Sequence, residues 1–232
     1  MFKSILFLNG TLADLAEISD HKDLILIAAD GGALSKALAK GLSPNLVIGD
    51  GDTPSTHPSR DKIRFIIDHD QESTDFEKCL NYIFANNLEP SLVCGLGGGE
   101  IDHQHNNLHT FAKFAKRQRM IFLDVQPGYK PKIGFAVYGA LELESTVGAT
   151  LSLLPFPSAT VTSEGLEWPL KHERLALLER SGARNRSSQT RVCLQISDGG
   201  PLLVVMNAED AKSMQIDTWE LRDLGICLKT NS

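Results

Sequence analysis

The sequence predicts an α/β protein: an N-terminal open parallel sheet of Rossmann-like type with its helices, followed by a C-terminal all-β sandwich. Three observations carry this. Continuous apolar runs alternate with helical patterns through the first half, as strands buried on both faces of a parallel sheet require. The segment Pro127-Gly128-Tyr129-Lys130-Pro131 interrupts that alternation. Beyond it helical periodicity nearly vanishes, and short apolar runs separated by turns take over, the pattern of an antiparallel sandwich or barrel. The expected division is residues 1–126 and 132–232.

In chain order, Lys3 to Asn9 and Leu24 to Ala29 form the first two strands. The second runs through Asp30-Gly31-Gly32 into a helix carrying Ala33, Leu34, Ala37 and Leu38, stopped by Gly41 and Pro44. An acid and two glycines at a strand-to-helix turn let phosphate reach backbone amides; a tight turn needs small residues in any case. The next strand ends in Val47-Ile48-Gly49-Asp50-Gly51-Asp52-Thr53, which sets two carboxylates one residue apart. Carboxylates this close repel each other unless a cation intervenes, and an all-oxygen environment favours Mg²⁺ shared with phosphates.

Ile63 to Ile67 is the fourth strand, and behind it Phe76, Cys79, Leu80, Ile83 and Phe84 make the apolar stripe of a helix. Thr74 and Glu77 have capping-box spacing, which places Asp75 in the first turn. Asp75 and Lys78 are three apart and can face one ligand; alternatively Asp75 complements the helix dipole and Lys78 is a solvated surface residue. Ser91 to Leu96, the fifth strand, leads into Gly97-Gly98-Gly99-Glu100-Ile101-Asp102-His103, where three glycines suit close approach of a phosphate or base. The helix that follows turns Leu108, Phe111, Ala112 and Ala115 inward, and Arg119 to Val125 closes the sheet. His105 and His109 have the spacing of zinc ligands, without an evident third ligand. Asp30, Asp50, Asp52, Asp75 and Asp102 all fall at or just beyond the carboxyl ends of strands, the edge where open parallel sheets bind ligands.

In the second half the strands are Ile133 to Tyr138, Leu141 to Leu143, Thr150 to Leu154, Ala159 to Ser163, Arg191 to Ile196 and Leu202 to Met206. Trp168, between a glycine turn and Pro169, is either core or a face on which a flat heteroaromatic ring stacks. Gly182 to Ser188 lacks apolar anchors and reads as a surface or ligand loop.

Composition excludes several classes. With 29 acids against 23 bases, a net charge of -6 and no basic run, the chain does not suit nucleic acid. The apolar run Ile5 to Leu8 is too short to span a membrane. Cys79, Cys94, Cys193 and Cys227 lie far apart without paired spacing, which points to a reduced, cytoplasmic protein.

Ala29-Asp30-Gly31-Gly32-Ala33, Gly49-Asp50-Gly51-Asp52-Thr53, Asp70-Gln71-Glu72-Ser73-Thr74-Asp75-Phe76-Glu77-Lys78-Cys79-Leu80, Gly98-Gly99 with Asp102-His103, and Gly165-Leu166-Glu167-Trp168-Pro169-Leu170 together resemble, in the same order, the motif series of the thiamine pyrophosphokinases. The resemblance implies a homodimer whose α/β domain binds ATP and Mg²⁺, with thiamine between domains of different subunits. It implies transfer of the terminal diphosphate of ATP to the hydroxyethyl oxygen of thiamine, releasing AMP. By the same resemblance Asp30, Asp50, Asp52 and Asp75 hold the metal, and Asp30, Gly31, Gly32, Gln71, Thr74, Lys78, Gly98 and Gly99 hold ATP. Asp102, His103, Trp168 and Asn185 face the acceptor, Asp102 orienting it or acting as base, and the catalytic set is Asp50, Asp52, Asp75 and Asp102. Three departures stand out. Gly51 and Thr53 replace the family's aromatic and serine around the paired acids, Glu100 replaces its arginine, and Arg184-Asn185-Arg186 replaces Ser-Asn-Glu. Glu100 and the Arg184-Asn185-Arg186 loop keep two other readings in view: a pyrophosphokinase of the same fold for another flat alcohol such as a pterin, and a non-catalytic nucleotide-binding module.

Overall fold

The computed structural model describes residues 2–13, 23–51 and 63–222. The chain divides into two compact units, with the boundary between Tyr129 and Lys130. It is a mixed α/β fold with a parallel sheet and a separate antiparallel one, the coarse architecture that the apolar runs predict.

The first unit contains β1 (Ser4–Phe7), β2 (Ile25–Ala29), β3 (Leu46–Gly49), β4 (Arg64–Ile67), β5 (Ser91–Cys94) and β6 (Met120–Asp124). All pair in parallel, in the order β6-β5-β1-β2-β3-β4. Every residue of β1, β3 and β5 is buried, because helices cover both faces of such a sheet. The chain steps outward from β1 to β4, then returns to the other side of β1, where Ser4 lies opposite both Ile25 and Ser91. That reversal opens a crevice beyond the carboxyl ends of the central strands.

Three helices make the connections: α1 (Asp30–Ala39), α2 (Asp75–Ala85) and α3 (Ile101–Phe114). On α2 the expected stripe holds for Phe76, Cys79, Leu80 and Ile83, but Phe84 is 49% exposed. Lys78 takes an inward position instead, in line with Asp75 one helical turn before it. On α3 the buried residues are Thr110, Phe111, Ala112 and Phe114, so the inward face is rotated from Leu108 and Ala115. Among the described residues no helix is long and apolar enough to cross a membrane.

The second unit is antiparallel throughout. β7 (Lys132–Val137), β9 (Thr150–Pro155), β12 (Gly182–Arg186) and β14 (Leu202–Asn207) pair in the order β12-β9-β14-β7. β8 (Ala140–Ser145), β10 (Ser158–Glu164), β11 (Glu173–Ala176), β13 (Arg191–Gly199), β15 (Ala211–Ile216) and β16 (Trp219–Arg222) pair in the order β11-β10-β13-β8-β15-β16. In β8, β9 and β10 buried residues alternate with more open ones, so each sheet buries one face. The segment read as a polar loop is strand β12, held by β9 and by the burial of Asn185. Asp217 fastens the β7-β8 turn, its carboxylate accepting the N–H groups of Tyr138, Gly139 and Ala140 at 3.2, 2.6 and 2.9 Å. Cys79, Cys94 and Cys193 are free thiols; Cys227 lies outside the described residues.

Candidate active site

A cleft of about 840 Å³ lies at the carboxyl edge of the parallel sheet, entirely within the first unit. Asp30, Asp50, Gln71, Thr74, Asp75, Lys78, Gly99, Asp102 and His103 line it, and so do Asp70 and Glu100. Among the described residues six carboxylates therefore face one space with Lys36 and Lys78 as its lysines, an excess of negative charge that calls for a cation. Asp52 lies outside the described residues. Gly31, Gly32 and Gly98 do not line the cleft.

Asp30 sits where β2 becomes α1, in the left-handed region at φ 76, and accepts the Ala33 N–H at 2.7 Å. This makes it the side-chain cap of its own helix. Gly32 is small for a reason other than ligand approach: a side chain there would overlap the Asn9 amide. At the end of β3, a side chain on Gly49 would come within 3.6 Å of the Asp75 carboxylate and 3.5 Å of the Asp30 Cα. Gly49 thus lies beside the Asp30 backbone and the Asp75 carboxylate, one residue before Asp50.

Helix α2 fixes the opposite wall. The Glu77 N–H donates to Thr74 Oγ1 at 3.3 Å and the Thr74 N–H donates to Glu77 at 3.1 Å, the reciprocal capping box that its spacing predicts. Lys113 on α3 pairs with Glu77 at 2.7 Å. Lys78 Nζ meets Asp75 at 3.2 Å with its side chain only 4% exposed, so it is a buried cation at the site and not a solvated surface lysine. The field of this wall shows in Cys79, whose thiol is pushed well up by burial and then by Asp75 and Asp30. At the rim, Ser73 donates to Asp70 and the Glu72 N–H adds a second bond, which hold the Asp70 carboxyl below its usual range.

The third wall is the loop after β5. A side chain on Gly10 would overlap the carbonyls of Gly95 and Gly97, and one on Gly98 would overlap Thr11. The Thr11 N–H donates to Gly97 O at 2.8 Å, so the loops after β1 and β5 lock into each other. Gly97 also touches Asp124, whose carboxyl is pushed up by burial against the help of Gln126 and the Gly97 N–H. Gly99, by contrast, faces open space. Asp102 accepts the His103 N–H at 2.9 Å in the first turn of α3, and Glu100, Asp102 and His103 gather within 4.8 Å. His105 and His109 stack with each other at 4.5 Å and are not part of that cluster, so the zinc spacing gathers no third ligand among the described residues. Sequence reasoning missed Lys36, whose Nζ bonds the carbonyls of Asn9 and Gly10 at the cleft wall; its only signal was lying on the helix that starts at Asp30.

In the second unit, Trp168 is 50% exposed and therefore not core. Asn185, expected to face the acceptor, is 5% exposed and spends its amide on protein: Oδ1 accepts the Trp168 N–H at 3.2 Å, and Nδ2 donates to Trp168 O at 2.8 Å. The Arg186 guanidinium lies 5.7 Å from the centre of the Trp168 ring and pairs with Glu167 at 3.2 Å.

The family model of the thiamin pyrophosphokinase catalytic domain matches residues 16–123. The Arabidopsis thaliana protein named thiamine pyrophosphokinase 1 is 23% identical over 252 residues, covering 93% of this chain and 90% of its own. The fold is similar to that of the Bacillus subtilis thiamine pyrophosphokinase (TM-score 0.69, 20% identity, 88% of this chain and 99% of that one). It is similar in the same way to the yeast thiamin pyrophosphokinase (TM-score 0.70, 19% identity, 88% and 86%). The family model and the curated relatives are thiamine pyrophosphokinases, and the solved structures share their fold with this chain.

Proposed function

We infer that this chain is a thiamine pyrophosphokinase, transferring diphosphate from ATP to thiamine to give thiamine diphosphate and AMP. The observation that carries the reading is the convergence of Asp30, Asp50 and Asp75 with the buried Lys78 in one cleft. The donor set is all carboxylate oxygen, which fits Mg²⁺, and Asp52, two residues beyond Asp50, completes the proposed metal set with Asp30, Asp50 and Asp75. Such an ion supplies charge neutralisation at the phosphate oxygens. Lys78 adds a fixed positive charge where charge develops on the transferred group. The proposed ATP contacts are Asp30, Gln71, Thr74 and Gly99, with Gly31 and Gly32 shaping the turn after β2 and Gly98 holding the loop behind Gly99.

The thiamine hydroxyl oxygen attacks the β-phosphorus, the new O–P bond forms as the bridging bond to the α-phosphate breaks, and AMP leaves. Asp102 orients the hydroxyl and is placed to accept its proton, with His103 beside it. Trp168 offers a face for the flat ring of the acceptor. We further propose that residues 1–126 handle ATP and that residues 132–232, read as a β-sandwich, serve the acceptor and dimerisation. Free thiols and the lack of paired cysteine spacing support a reducing, cytoplasmic setting. A homodimer is the proposed assembly, and light scattering of the active protein tests it.

The decisive experiment measures AMP release from Mg-ATP with thiamine, with a pterin alcohol, and with neither. Thiamine-dependent release, lost on chelation of the metal, is the expected result. Release with the pterin alone would replace the acceptor, and release with neither would make the chain an ATPase.

A further inference from the structure

We propose that Asn185 is a positioning residue: its buried amide fixes the Trp168 backbone, so that the ring meets the acceptor from a fixed anchor. The proposal rests on thiamine being the acceptor, as inferred above, and on an interrupted strand ladder. Leu166 bridges Ser187, with the Glu167 N–H donating to Arg186 O at 2.8 Å and the Ser188 N–H to Gly165 O at 2.8 Å. This ladder cannot continue past Glu167. Pro169 has no N–H, and Arg184 is left-handed at φ 58, its own N–H turned to Ser152 Oγ at 3.1 Å. The Asn185 side chain supplies the missing rung. An amide has the donor and acceptor of a peptide group, and this one grips both the N–H and the C=O of Trp168 while also accepting the Arg186 N–H at 2.8 Å.

The result is a tryptophan fixed at its backbone yet half exposed at its ring. The Arg186 guanidinium sits near the ring, held in place by Glu167. An aromatic held this way loses little freedom when a flat ring stacks on it, so affinity gained by stacking is not spent on ordering the residue.

The test uses the full-length chain in three forms, wild type, Asn185→Ala and Asn185→Asp, each also with Trp219→Phe so that Trp168 is the only tryptophan left of two. Asn185→Ala should raise the KM for thiamine about tenfold with the KM for ATP unchanged, and should lower the fluorescence anisotropy of Trp168. Asn185→Asp keeps the acceptor for the Trp168 N–H and should fall between the two, which keeps the test alive if the alanine variant does not fold. An unchanged thiamine KM in a folded variant overturns the proposal, as does an equal rise in both constants with a lowered Tm. Failure of the thiamine reading is seen separately, as wild-type protein without thiamine-dependent AMP release. Anisotropy then decides whether Asn185 holds Trp168 at all.

Discussion

At Asp30 the backbone and the side chain favour different residues. A φ of 76 suits glycine, and keeping another residue there costs roughly 1–3 kcal/mol, yet the carboxylate caps Ala33 and lines the cleft. Asp30→Asn keeps the cap and tolerates the left-handed backbone, so it should leave the thermal midpoint within about 4 °C while lowering turnover about a hundredfold or more. Asp30→Ala should lose both cap and backbone fit, about 2 kcal/mol. Thermal melts beside AMP release separate the two effects, and wild-type turnover in Asp30→Asn would remove this residue from the metal set. Lys78 makes the complementary case: Lys78→Met keeps its length but removes the cation beside Asp75. We expect kcat to fall about a hundredfold at saturating Mg-ATP, and an unchanged kcat would leave Lys78 a structural ion pair. Neither its burial nor the left-handed turn was legible in the chain. A lysine three residues after an aspartate looks the same in solvent or under a second helix, and only the packing of α2 against the sheet decides.

Helix α2 was legible because its signals are local. Capping-box spacing and apolar periodicity need no partner element, and both appear in the structure, Phe84 aside. The Glu77 carboxyl is held below its usual range: burial works against this, and the Lys113 ammonium and the Thr74 N–H outweigh it. A depressed carboxyl stabilises the fold in full above its unfolded value and loses that contribution as pH falls through its folded value. Glu77→Gln should therefore lower stability by about 1 kcal/mol near neutrality, with the gap to wild type closing in acid. Denaturant melts at a series of pH values check this, and a gap that widens in acid would contradict it. Strands β11, β12, β15 and β16 were the elements missed. In each, polar residues make up half of the strand or more, and in β12 a buried asparagine does what an apolar residue would do elsewhere. Polar strands of this kind are recognisable only from their neighbours.

For the molecule as a whole, the net charge of -6 and the carboxylate-lined cleft set how a cationic acceptor arrives. Added salt should lower kcat/KM for thiamine, by about threefold between low and physiological ionic strength, as the Debye length shrinks to roughly 8 Å. Rates measured at saturating Mg-ATP across a salt series test this, and a flat series would mean the acceptor meets no net field. The gathering of Asp30, Asp50, Asp75 and Asp102 at one edge was readable in advance, since each follows a strand of a parallel sheet. What could not be read is how the loops share that edge. Gly10 is packed on the carbonyls of Gly95 and Gly97, Gly98 on Thr11, and Gly97 on Asp124. Each loop is thus the mould in which another is cast. Grafting one of them from a relative into this scaffold should fail where grafting all of them together succeeds, because the heritable unit of this site is the set of loops.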